Sequence, residues 1–154
     1  MYSYIRLFHI IGAVLFLGNI VVTAVWKTLA DRTRNPQIIA HAQRLVDKTD
    51  WYFTAPGALL VLVTGVTMAI IGGRALYHAF WVMWGAGLFT LAGVVWLAVL
   101  VPVQRKQARL ADGFAGGGQI PDAYWRLARR WAVFGTIATV LAVMTLWAMV
   151  VRPT

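Results

Sequence analysis

The sequence contains no cysteine and no glutamate, and only five acidic residues stand against fourteen Lys and Arg. Without cysteine there are no disulfides, no Cys-ligated iron–sulfur cluster, no covalently attached c-type haem and no thiol nucleophile. Without glutamate, and with all five Asp in the basic segments, the long apolar runs hold no carboxylate. An ion-coupled carrier, which ordinarily needs one in mid-membrane, is therefore not expected, and four crossings leave little room for inverted repeats. The glycine cluster Gly113-Phe-Ala-Gly-Gly-Gly-Gln119 lacks the Gly-Lys-Ser/Thr ending of a phosphate-binding loop, so it reads as a plain connection. No Met-x-x-Met or His-x-His pair marks a metal site.

What is abundant is apolar sequence. Hydrophobic residues make up 60% of the 154 positions, against about 45–50% in soluble domains. The class is an all-α integral membrane protein, one domain over residues 1–154. Helix 1 is predicted from about Tyr4 to Leu29, helix 2 from Trp51 to Ile71 and helix 3 from Ala79 to Val101, with Pro102 at its inner end. The last helix starts at Pro121-Asp122 and crosses from Trp131 to Val151. Eleven of the fourteen cations lie in Lys27 to Lys48 and Arg105 to Arg130, while Arg6, Arg74 and Arg152 lie at the opposite ends. The positive-inside rule then puts both termini outside a bacterial inner membrane. That placement of charge also speaks against nucleic acid as a partner. The first run has no basic leader and no small-residue cleavage site, so it is expected to stay as a mature helix.

Local signals fill in the connections. Asn35-Pro36 offers a cap followed by proline at the first helical position, and Ile38, Ile39, Ala42, Leu45 and Val46 repeat with helical spacing. A short amphipathic helix is expected on the cytoplasmic surface, with His41, Arg44 and Lys48 toward water and Asp50 capping helix 2. On helix 2, Thr54, Gly57, Val61, Thr64, Gly65, Met68 and Gly72 share one side, the small and hydroxyl face that close membrane packing uses.

Helix 1 carries the principal candidate. At about 100° per residue, His9, Gly12, Phe16, Asn19, Thr23 and Lys27 share a polar, small face. An ionisable group within hydrocarbon turns toward the bundle and is by default functional. The topology places His78, at the outer start of helix 3, in the same leaflet. Two imidazoles on facing helices of a four-helix bundle can take both axial positions of haem b. Arg6 and Arg74 would then hold the propionates, with Arg152 near them. Gly12 and Gly85 would admit the flat ring, and Trp81 would set access. The expected activity is one-electron transfer near the outer leaflet, with a quinone or a porphyrin as partner. The alternatives are a non-enzymatic subunit of a larger membrane complex or a homo-oligomer, and, third, copper handling through Met68, Met83, Met144 and Met149.

The pattern Tyr4-Ile-Arg-Leu-Phe-His9-Ile-Ile-Gly-Ala-Val with Gly18-Asn19, then Pro56 and Thr64-Gly65, then His78-Ala-Phe-Trp81, resembles a bacterial family of four-helix predicted integral membrane proteins, a domain of unknown function. More distantly it is similar to HemJ-type protoporphyrinogen oxidases and CopD-type copper-resistance membrane proteins, in the first-helix histidine, the Pro then Thr-Gly second helix and the tryptophan opening the third. The HemJ-type resemblance implies haem-associated chemistry on a porphyrin, with His9 matching the first-helix histidine. The lysine that follows the third-helix tryptophan in that family has no counterpart here, where Trp84 stands near its place. The resemblance thus implies a haem or porphyrin site more than the oxidase reaction.

Overall fold

Four long helices make up the bundle among the residues that a computed structural model describes, 1–73 and 78–153. They are α1 (Tyr2–Arg32), α2 (Pro36–Ile71), α3 (Phe80–Phe114) and α4 (Asp122–Val151), each long and apolar enough to cross a membrane. No strand occurs among the described residues. Between α1 and α2 the chain turns on Arg34, whose φ of 52° is left-handed. Asn35 then caps α2, its side chain accepting from the amides of Gln37 and Ile38, and Pro36 fills the first position, where no N–H is needed. The start of α4 at Asp122, after Pro121, is also where the sequence puts it.

Two boundaries differ from expectation, for one reason. The amphipathic segment is not a separate surface helix, and Asp50 is not a cap. The helix runs unbroken from Pro36 to Ile71. Likewise α3 does not stop at Pro102 but continues to Phe114. In both, the backbone widens into one π-turn just before the proline, at Asp50–Thr54 ahead of Pro56 and at Trp96–Leu100 ahead of Pro102. The amide before each proline reaches back five residues, Ala55 to the Asp50 carbonyl and Val101 to the Trp96 carbonyl. Proline lacks an N–H and collides with the carbonyl four residues back. A wide turn moves that carbonyl aside and lets the helix continue.

The N-terminal part of α2 is therefore a strut packed on the C-terminal part of α3. Its apolar stripe supplies Ile39 and Ala40 to a core with Ala111, Phe114 and Tyr124. Val46 joins Leu100, Val103, Trp131 and Ala138 in a second core deeper in the bundle. His41, Arg44 and Lys48 are exposed, as the periodicity predicts.

Toward the other end the bundle parts into two pairs. Among the described residues Ala55–Ile71 has Cα–Cα approaches within 8 Å to α1 but none to α3 or α4, and Phe80–Val95 has them to α4 but none to α1 or α2. Across the gap the rings of Phe16 and Phe89 meet edge to face at 5.7 Å. The α1–α2 pair is closed by two glycines: a Cβ on Gly12 would sit 3.0 Å from the Gly57 carbonyl oxygen, and one on Gly57 would sit 2.7 Å from the Phe16 nitrogen. Lipid tails are as apolar as leucine, so association rests on such close backbone contact.

Candidate functional site

The structure gathers polar side chains in three places along the bundle. The most connected lies where the π-turns face each other. Asp50, 7% exposed, stands at the start of one turn and Trp96 at the start of the other. Oδ1 of Asp50 accepts from Thr54 Oγ1 (2.8 Å) and Asn19 Nδ2 (3.2 Å). Oδ2 accepts from Gln104 Nε2 (2.8 Å) and Trp96 Nε1 (3.3 Å). Asn19 also donates to Thr54 Oγ1 at 2.8 Å and accepts from Thr23 at 3.3 Å. One carboxylate thus ties α1, α2 and α3 together through neutral donors. π-turns of this kind recur at functional sites because they re-aim side chains that a regular helix would hold elsewhere.

The second cluster closes the basic end. Lys27, completely buried, donates to Asp31 (2.5 Å) and to the Tyr124 hydroxyl (2.7 Å), and that hydroxyl donates to the other Asp31 oxygen at 2.8 Å. The ammonium also lies 5.1 Å from the Tyr124 ring centroid and 5.7 Å from that of Trp131. Charge is balanced, and two of the three ammonium protons and the phenol proton have oxygen acceptors, the kind of pairing that a buried ion pair requires. The arrangement clamps the end of α1 to the start of α4.

The third place is His9, half-buried against α2. Its Nδ1 lies 2.9 Å from Thr64 Oγ1. The Thr64 hydroxyl has a single hydrogen and directs it to the Leu60 carbonyl, one turn back, at 2.5 Å. With that hydrogen committed, Thr64 is placed to accept from His9, which favours the tautomer with the proton on Nδ1 and the lone pair on Nε2. Gly65 gives the ring its room, since a Cβ there would come within 3.2 Å of His9 Cε1.

Gly12 faces Gly57, Leu60 and Val61, and Gly85 faces the end of the Met149 side chain. Trp81 lies under the Arg152 guanidinium, 5.0 Å from ring centroid to carbon. His78 and Arg6 are exposed, His78 on the other helix pair, and Arg74 lies outside the described residues. Among the described residues no three His, Cys, Asp or Glu side chains gather as a metal-ligand group.

A family model described as predicted integral membrane protein (DUF2269) matches residues 3–153. The chain belongs to this family. No curated protein and no solved structure matches it. The four long apolar helices of the chain agree with that description of an integral membrane protein.

The polar hub escaped the sequence analysis because Asp50 sits at a helix boundary, between Lys48 and Trp51, where a solvated cap is the simplest role. One signal was present. The residue six before Pro56 is Asp50 and the residue six before Pro102 is Trp96, so a widened turn before each proline puts the two in equivalent places. Next to this hub, between α1, α3 and α4, lies a cavity of about 320 Å³.

Proposed function

We propose that this chain is a membrane-embedded redox protein of the bacterial inner membrane that binds haem b or a porphyrin through His9. The reading rests on one observation: His9 Nδ1 lies 2.9 Å from the Thr64 hydroxyl, whose own hydrogen is directed to the Leu60 carbonyl, an arrangement that favours the tautomer with the proton on Nδ1 and the lone pair on Nε2. Ligating histidines are held in this way by a hydrogen bond from the opposite ring nitrogen. A macrocycle brings four nitrogens of its own, so a single imidazole suffices. A bare ion would need several protein ligands.

A haem bound there would supply one-electron chemistry, with a quinone as the expected membrane partner. Thr64 favours the Nδ1-protonated tautomer and orients the ring, and Gly65 keeps its edge clear. Arg6, three residues before His9 and on the same helix face, offers a guanidinium to a propionate. Gly12 lies against Gly57, Leu60 and Val61 of α2, and Gly85 against Met149 of α4. Ligation by His78 as well would have to bridge the two helix pairs, which part in this half of the bundle.

Purified protein, expressed with ample haem, should show a Soret band that His9→Ala removes and His41→Ala leaves unchanged. Loss in His78→Ala too would establish two histidine ligands. A haem-free wild type would overturn the proposal. The second reading, a non-enzymatic subunit of a larger membrane complex, draws on the parted pairs, whose facing sides suit a helix from another chain. A haem-free protein that purifies in fixed ratio with a membrane partner would select it.

The basic end is proposed to be cytoplasmic, from the eleven-to-three division of cations. In this cysteine-free chain, single cysteines at the exposed Gln37 and Gly116 should resist an impermeant thiol reagent in intact cells, while one at the exposed Gly72 reacts. The opposite labelling would reverse the topology.

A further inference from the structure

The cavity beside Asp50 is lined by residues of α1, α3 and α4, and its chemistry is one-sided. Thr23, Thr28, Thr136 and Thr139 border it, and each hydroxyl already donates, Thr23 to Asn19 and the others to the carbonyls of Ala24, Ala132 and Gly135. The Trp96 indole and Gln104 amide donate to Asp50. The uncommitted donors in the lining are the Trp131 indole and the second Gln104 amide hydrogen. What the walls offer in quantity is the reverse: a carboxylate, hydroxyl oxygens and the aromatic rings of Phe16, Trp96 and Trp131, the last of which has the Lys27 ammonium 5.7 Å from its centroid.

The charge is one-sided as well. All four groups that donate to Asp50 are neutral. The ion pairs among the described residues are Lys27 with Asp31 and Arg44 with Asp112, and neither includes Asp50. A carboxylate in a weakly polar surrounding with no cation is costly unless a counter-charge is supplied. Val21, Val25 and Val140 belong to the same lining and are exposed on the lipid-facing surfaces of α1 and α4. A ligand entering there comes from the bilayer and must be partly apolar.

We propose that the cavity bounded by Asp50, Trp96, Trp131 and Thr139 is a binding site for a lipophilic ammonium compound, with the Asp50 carboxylate as counter-charge and the aromatic rings against the cation. Its volume of about 320 Å³ lies in the range of small-molecule sites, and a cation over indole faces gains attraction that a neutral isostere does not. The site is independent of His9.

The test compares benzylamine with benzyl alcohol, the same ring with and without the charge. Each is titrated into the protein in nanodiscs of neutral phosphatidylcholine, so that anionic lipid does not concentrate the amine, and tryptophan emission is read. Wild type should bind the amine saturably and about tenfold more tightly than the alcohol. Asp50→Asn should bring the amine to the affinity of the alcohol, and Thr139→Leu, which fills the cavity and keeps Asp50, should abolish saturable binding of both. Equal affinities in wild type, absence of saturable binding, or unchanged amine binding in Thr139→Leu would each overturn the proposal. If Asp50→Asn does not fold, the wild-type comparison and Thr139→Leu still decide it.

Discussion

Gly57→Val is expected to lower the unfolding midpoint in mild detergent by about 10 °C, a loss of roughly 3 kcal/mol for a domain of this size. Any Cβ at residue 57 meets the Phe16 nitrogen at 2.7 Å and the Gly12 carbonyl oxygen at 2.9 Å. Both are backbone atoms, so no rotamer change on α1 can relieve the contact and the helices must separate. Separation forfeits the dispersion contacts along the α1–α2 seam, which supply association where lipid removes the hydrophobic drive. It also draws Thr64 away from His9. Gly87→Val and Gly93→Val provide the control, because a Cβ at either position meets nothing within 4 Å. Melts of those two should stay within about 2 °C of wild type. Three indistinguishable melts would show that the glycine crossing does not hold the pair together.

Asp50→Leu should cost about 3–5 kcal/mol through the donors it leaves unpaired, while Asp50→Asn should fall between it and wild type. Leucine matches the volume but accepts nothing. Asn19 Nδ2, Trp96 Nε1 and Gln104 Nε2 would then lose their acceptor on this side chain, and each buried donor left unpaired costs about 1–3 kcal/mol. Thr54 fares better, being able to turn to a carbonyl of its own helix. Asparagine retains one acceptor oxygen and so keeps part of the network. Thermal melts and the emission of Trp96 follow the effect: the order wild type, Asp50→Asn, Asp50→Leu is expected in stability, with emission moving toward that of a solvated indole. A leucine variant as stable as wild type would show that α1, α2 and α3 are joined by packing alone.

The sequence by itself determined the number of crossings, because unbroken apolar length is decisive in a membrane. It also determined the Asn35-Pro36 start of α2, since the cap and the proline act within one turn, and the polar stripe of α1, on which Gly12, Thr23 and Lys27 are buried. Only the tertiary structure decided what those stripes meet. Asp50 finds Asn19, Trp96 and Gln104 at separations of 31, 46 and 54 residues, and Lys27 finds Tyr124 across 97. Periodicity orients one helix at a time and carries no information about the rotation of its neighbour. In water the apolar side of a helix marks the core. In a bilayer the lipid-facing and bundle-facing sides are both apolar, so burial could not be read from hydropathy. It was settled instead by where two glycines let backbones touch and where two prolines forced a wide turn.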